Sequence, residues 1–270
     1  MPTVIDGVQV HRAAHSATLD FKLDVALGNI AGHEPLSKFG HNSDVGDAAE
    51  PVWDYAGTYE YLGDDTFSTM YISSDDALDQ GITYEVTGID SDYNYSTVEA
   101  TTDGASGFTF VALTSGAADN KWWRIFRALN TSDTAAQGNI YISKDNTDTD
   151  GGADGIPDTV TDIQAQIKIG FEQTLMALWT CPVDYHAMMT SYYASTSANK
   201  ATEVYLFIRP FGGVFNIKHL ILINQGHSRQ PFDFPLHIEE KSDIVIQALA
   251  IGGGGEVSAG FDLWYEPHEH

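Results

Sequence analysis

Apolar and polar positions alternate along most of this chain with a period of two, the mark of strands that bury one face. Ile82, Tyr84, Val86 and Gly88 share one parity, while Thr83, Glu85 and Thr87 share the other. Ile163, Ala165, Ile167, Ile169 and Phe171 alternate in the same way with Gln164, Gln166 and Lys168. That pattern favours a strand over the helix that residues 163–179 would also allow. Leu19, Phe21, Leu23, Val25 and Leu27 predict another strand near the N-terminus.

Short runs rich in β-branched and aromatic residues follow one another at 57–62, 68–73, 82–89, 95–101, 107–114, 122–129 and 139–144, with Gly, Asp and Asn between them. Stronger runs occupy 164–170, 174–180, 186–196, 201–210, 215–224, 232–238, 243–251 and 259–266. Regular spacing of this kind marks a sandwich or jelly roll. The expected architecture is all-β: an extended N-terminal arm and connector over 1–40, an acidic β domain over 41–160, and a jelly-roll-like sandwich over 161–270. The glycine run in 251–257 reads as a flexible loop joining the last two strands.

Charge sharpens that division. The chain carries 38 acidic and 13 basic residues, a formal charge of -25 and a pI near 4.4. Residues 41–160 hold 22 acidic and 4 basic side chains, whereas 161–270 hold 12 and 6, so the charge step falls near 145–162. Such a surface repels phosphate, which argues against a nucleic-acid partner and against a position facing packaged DNA. Apolar runs are of strand length, and the first twenty residues lack a charged region followed by an apolar stretch, so neither a membrane span nor a secretion signal is expected. Assembly in a cytoplasm is the corresponding expectation.

Candidate chemistry is sparse. A single cysteine, Cys181, excludes an intrachain disulfide and a zinc ribbon, and its apolar surroundings predict a buried small hydrophobe. The loop 146–158 places Asn146, Asp148, Asp150, Asp154 and Asp158 around glycines, and clustered hard oxygens of this kind suit calcium. Pro157 stands where an EF-hand would need its bidentate Glu, so the alternative is a solvated acidic linker. Ten histidines are dispersed along the chain, and the terminal His268 and His270 would either chelate a metal on an oligomer axis or lie in a frayed tail. The chain has no nucleophile elbow, no H-E-x-x-H and no Gly-rich phosphate loop, so no catalytic residues are assigned. Adjacent Trp122 and Trp123, like Tyr192 and Tyr193, must point to opposite faces of a strand. That means burial on both sides, or one exposed ring of the kind that binds carbohydrate.

Several segments together resemble a family of virion structural proteins of marine tailed bacteriophages. They are 38–61, 82–104, 172–196, 204–219, 231–248 and 259–266, and the combination HNSDVG, VWD, RPFGGVF and EKSDI is distinctive. The likeness runs over roughly 38–265 and leaves the 146–158 loop unmatched. It implies a place in the phage particle, with a decoration or cement protein on the outer surface of the head as the leading role. It brings no catalytic residues. The physical expectations that accompany it are a homotrimer matched to an icosahedral lattice, the major capsid protein as partner, and an arm that adds a strand to a capsid edge. A tail, neck or head-fibre component is the main rival. A carbohydrate-active enzyme, recognisable by two carboxylates converging in a cleft, is the remote one.

Overall fold

The computed structural model describes residues 21–55, 57–149 and 152–268, the side chain of residue 198 excepted, together with the backbone of a short hairpin, β1 (Thr3–Ile5) and β2 (Val8–Val10). A helix, α1 (Phe21–Ala26), is followed by β3 (Glu34–Val45), β4 (Glu50–Pro51), β5 (Tyr71–Ser74), β6 (Thr83–Asp90), β7 (Tyr95–Thr101), β8 (Val111–Ala112), β9 (Trp122–Asn130) and β10 (Ile140–Ser143). After them come β11 (Ile163–Ile167), β12 (Leu178–Thr180), β13 (Tyr185–Arg209), β14 (Asn216–Ile238), β15 (Asp243–Ala250) and β16 (Gly255–Pro267). The fold is all-β and jelly-roll-like. Its largest sheet joins β3, β4 and β12–β16, and two smaller ones run β7-β6-β9 and β11-β10-β5-β8.

The large sheet is built from long ribbons that change course along one line. One edge of β13 is lined by β14 along most of its length. The other is lined first by β16, opposite residues 185–196, and then by β15, opposite 202–209. β15 and β16 therefore follow each other along a single edge, and β3 and β4 do the same one ribbon further out. All of them break at the same level. The β13–β14 ladder jumps from Thr196↔Gly226 to Ala201↔Asn224, Gln225 has φ +56°, and Gly252, Gly253 and Gly254 have φ +85°, +70° and +73°. Three successive left-handed residues between β15 and β16 account for the glycine run: any other side chain there would be strained.

Several predicted elements change character. The strands expected at 186–196 and 201–210 are one strand, because 197–200 bulge opposite Gln225, and those at 215–224 and 232–238 are another, because the polar residues 226–231 pair with 191–196 and continue the ladder. The alternation at 21–27 yields α1 rather than a strand, while Leu19 lies outside the described residues. Phe21 and Val25 are four apart and share a helix face as readily as a strand face. Phe21 packs edge-on against Trp264 with ring centroids 5.0 Å apart. Residues 34–40, expected in the arm and connector, are the first half of β3 and pair with β16. The strand expected through 170 ends at Ile167, leaving Ile169 and Phe171 exposed beside a turn.

No ladder forms at 57–62 either. Side chains supply its hydrogen bonds instead: Gln164 Nε2 donates to the Glu60 carbonyl at 3.1 Å and Arg124 Nη1 to the Leu62 carbonyl at 3.0 Å. Pairing also runs across residue 160, since β10 and β11 are neighbours in one sheet. A single core cluster contains side chains from both sides of that point, including the buried Trp53, Trp122, Trp123 and Trp179.

The centre of that core is ionic. Arg124 of β9 grips the Asp243 carboxylate with Nε at 3.0 Å and Nη2 at 3.2 Å, and Thr180 Oγ1 donates to the same carboxylate at 2.5 Å. Arg209 of β13 donates to Asp243 from Nε at 2.9 Å and also from Nη2. Nη1 of Arg124 reaches the carbonyls of Leu62 and Trp123, so all three nitrogens of this fully buried guanidinium are hydrogen-bonded. Tyr61 lies against both guanidinium groups, 5.0 Å from Arg124 and 5.2 Å from Arg209. Sheet β7-β6-β9 is thereby fastened to β12, β13 and β15 of the large sheet.

Two further ionisable side chains, Lys38 of β3 and Asp54, are buried without a salt bridge between them. Lys38 donates to the Phe126 carbonyl, and Asp54 Oδ2 accepts from the Leu175 N–H at 3.2 Å. Burial, with the Arg127 charge adding to it, lowers the Lys38 ammonium from 10.5 to about 7. Burial also raises the Asp54 carboxyl from 3.8 to about 7, against the pull of the Leu175 N–H.

Two predictions follow from these clusters. Asp243→Ala strands two arginines in the core and is expected to cost about 3–5 kcal/mol in chemical denaturation, the range for breaking a buried ion pair. An unchanged denaturation midpoint would contradict the bridging role. The buried Asp54 keeps its proton to higher pH in the folded state, so its contribution is complete below about pH 4 and is lost as pH rises through 7. Lys38, with a lowered folded value, contributes fully above 10.5 and loses that contribution as pH falls through 7. Relative to the parent, Asp54→Asn should flatten the fall in stability between pH 4 and 7, and Lys38→Met the rise between pH 7 and 10.5, as read from melting temperature against pH.

Candidate functional site

The long hairpin β13–β14 presents the most distinctive surface. Among the described residues β14 pairs only with β13, so one edge of this 23-residue strand carries no ladder. Its inner row, His219, Ile221 and Ile223, faces the core, and the two isoleucines are buried. The outer row should be polar on a solvated face, yet it holds Ile217, Leu220 and Leu222, exposed by 56%, 46% and 63%. Register sets Ile217 beside Phe207 and Leu220 beside Tyr205, which widens the apolar strip onto β13. Further along β14, Phe234 is 90% exposed. Native proteins usually blunt long edges with charges, proline or covering elements. Pro231, Pro235 and the bulges blunt part of β14, but residues 217–222 leave large apolar side chains uncovered, the kind of patch that marks an interaction surface.

Histidines dispersed in sequence meet at one end of the large sheet. His33 contacts the Glu266 carboxylate, and His186 Nε2 lies 3.1 Å from its other oxygen. The His186 ring is 4.8 Å from that of His268 and 5.2 Å from that of His237. A cavity of about 490 Å³ opens beside them, lined by His33, His186, Glu266 and His268. The pairing of β13 with β16 and β14, and of β16 with β3, brings these residues together, and no spacing in the chain announces it. One carboxylate takes contacts from two imidazoles. Among the described residues, no three His, Cys, Asp or Glu side chains are placed to hold a metal ion.

The acidic loop is held by its own carboxylates. Asp148 Oδ2 accepts from the Asp154 and Gly155 N–H groups at 2.8 and 2.7 Å, and Asp154 Oδ1 accepts from the Ile156 N–H at 3.0 Å. Both oxygens of Asp158 accept from the Thr149 N–H at 3.0 Å. Asn146 is exposed, and Asp150 lies outside the described residues. The aromatic pairs are placed as two-sided burial requires: Trp122, Trp123 and Tyr192 are buried and Tyr193 is half-buried. Cys181 is buried, and burial raises its thiol well above the usual range, which makes it inert as a nucleophile.

Asp148→Ala removes the oxygen that accepts both loop-closing hydrogen bonds and is expected to cost about 1–2 kcal/mol. Melting with and without millimolar calcium checks the cause. An equal loss in both conditions marks loop closure, whereas a calcium-dependent rise in the parent that the variant lacks marks a bound ion.

No family model matches the chain, and no curated protein matches it. Two solved structures show a faint likeness. One is a structure of infectious bursal disease virus, Gt strain, at 10% identity and TM-score 0.21, covering 92% of this chain and 77% of that one. The other is a mutant VP2 protein of infectious bursal disease virus from derived T=1 particles, at 11% identity and TM-score 0.23, covering 88% and 70%. A likeness at this level carries no argument about fold or role.

Proposed function

We propose that this chain is a non-enzymatic structural protein of a tailed-phage virion, a decoration or cement protein that forms a homotrimer on the outer surface of the head and binds the major capsid protein. The observation that carries the reading is the β14 edge with its outward apolar row, a surface of the kind that another protein covers. The charge of -25 supports a position outside the shell, because packaged DNA would repel it. Resemblance of residues 38–265 to marine phage virion proteins supplies the biological setting.

Cementing requires contacts that add free energy across capsomer boundaries, and an all-β body tied by a buried, bidentate ionic core gives those contacts a rigid base. Imaging the intact virion tests the reading. Density for this fold repeated over the head lattice, together with a copy number matching the capsomers, is the expected result. Density confined to the tail, neck or a single vertex would place the protein among the host-contacting components instead.

A further inference from the structure

We infer that the cavity between β3 and β9 is a binding site for a small carboxylate anion, of the size of formate or acetate, held by Arg127, Lys38 and Gln173. The inference stands apart from the virion reading.

The cavity measures about 110 Å³, and its walls include Lys38, Tyr95, Phe126, Arg127 and Gln173. At about 30 Å³ per water, that is room for roughly three or four heavy atoms, enough for a planar carboxylate and tight for a tetrahedral phosphate. Its donors are unspent. Among the described residues the side chains of Arg127, Gln173 and Tyr95 make no hydrogen bond and no ion pair. The Lys38 amine donates only to the Phe126 carbonyl, although an ammonium has three hydrogens to place.

Carboxylates are not scarce in this chain, with 38 acidic residues for 13 basic ones. Arg124, Arg209, Arg229, Lys121 and Lys144 all sit in salt bridges. Lys38 and Arg127 do not. The charges that bear on Lys38 are Arg127 and Asp54, and those that bear on the adjoining Tyr95 are Arg127, Glu85 and Glu34. None of these carboxylates forms an ion pair with either base.

Two like charges therefore line one small cavity, an unfavourable arrangement without a counter-charge. A carboxylate between them supplies it. Its two oxygens match the planar fork of Arg127, and the Lys38 amine and Gln173 amide have donors to spare. The overall charge of -25 opposes anions only at a distance, where about 0.1 M salt screens it over about 10 Å. Binding is also coupled to a proton. Burial and the Arg127 charge hold the Lys38 ammonium at about 7, and a bound anion works against both, so affinity should rise as pH falls through 7.

Titrating the full chain with sodium formate, against sodium chloride at equal ionic strength, tests this through side-chain N–H NMR and melting temperature. The Arg127 Nε–H and Gln173 amide signals should shift saturably with formate and not with chloride, and formate should raise the melting temperature above that in chloride. Arg127→Gln, at an exposed position, should fold as the parent does and bind formate at least tenfold more weakly. Lys38→Met should abolish the pH dependence of binding, whereas Asp54→Asn should keep it. No saturable shift in the parent, the same shift with chloride, or an Arg127→Gln variant that binds formate like the parent overturns the inference.

Discussion

The buried carboxylate of Asp243 is the point on which the rest of the molecule hangs. It sits at the start of β15, receives Arg124 from a different sheet, Arg209 from the far end of β13 and Thr180 from β12, and has no exposure to water that could soften the loss of a partner. A single ion in that position would be prohibitively expensive. The arrangement is tolerable because the carboxylate accepts from both arginines and from Thr180, and because Tyr61 and Trp123 cover the Arg124 guanidinium. Geometry this demanding also fixes where the sheets stand relative to one another, since an apolar contact at the same place would accept sliding.

From that anchor the long ribbons run outward. Arg209 ends β13 at the ionic centre, and the strand then continues back across the bend, so the hairpin is fixed at one end and reaches far from it. The glycines at 252–254 allow β15 and β16 to line the same edge of β13 without a reversal, which leaves β14 on the outside with no ladder partner of its own among the described residues. The exposed apolar row is thus a consequence of the topology: one strand more is made than the sheet has partners for. An assembly protein can use that surplus, because the same row that is a liability in a monomer becomes the core of an interface.

Much of this was legible before any coordinates. Runs of β-branched and aromatic residues locate β6, β7, β9, β10 and β15 to within one residue, whereas β16 begins at Gly255, inside the stretch expected to be a loop; Cys181 is buried as expected, and of the two readings of Trp122 and Trp123 the structure has two-sided burial. Alternation failed where two structures share it, as at 21–27, and where the polar break at 197–200, opposite Gln225, is a bulge within a ladder and not a turn between strands. It failed again at 57–62, where the side chains of Gln164 and Arg124 replace a neighbouring strand. The histidine group around Glu266 and the buried Lys38 and Asp54 left no trace in spacing, because each depends on residues far apart in the chain meeting across strand ladders.

Taken by itself, the sequence determined the all-β class, the acidic surface and the absence of any recognisable catalytic motif, because these follow from local periodicity, charge counts and short-range patterns. Tertiary structure alone decided that eight runs would merge into fewer, longer strands, that β14 would stand at an edge, and that Asp243 would gather two arginines. Those outcomes depend on which strand lies beside which, and strand order is set by non-local hydrogen bonding and core packing, to which a period of two is blind.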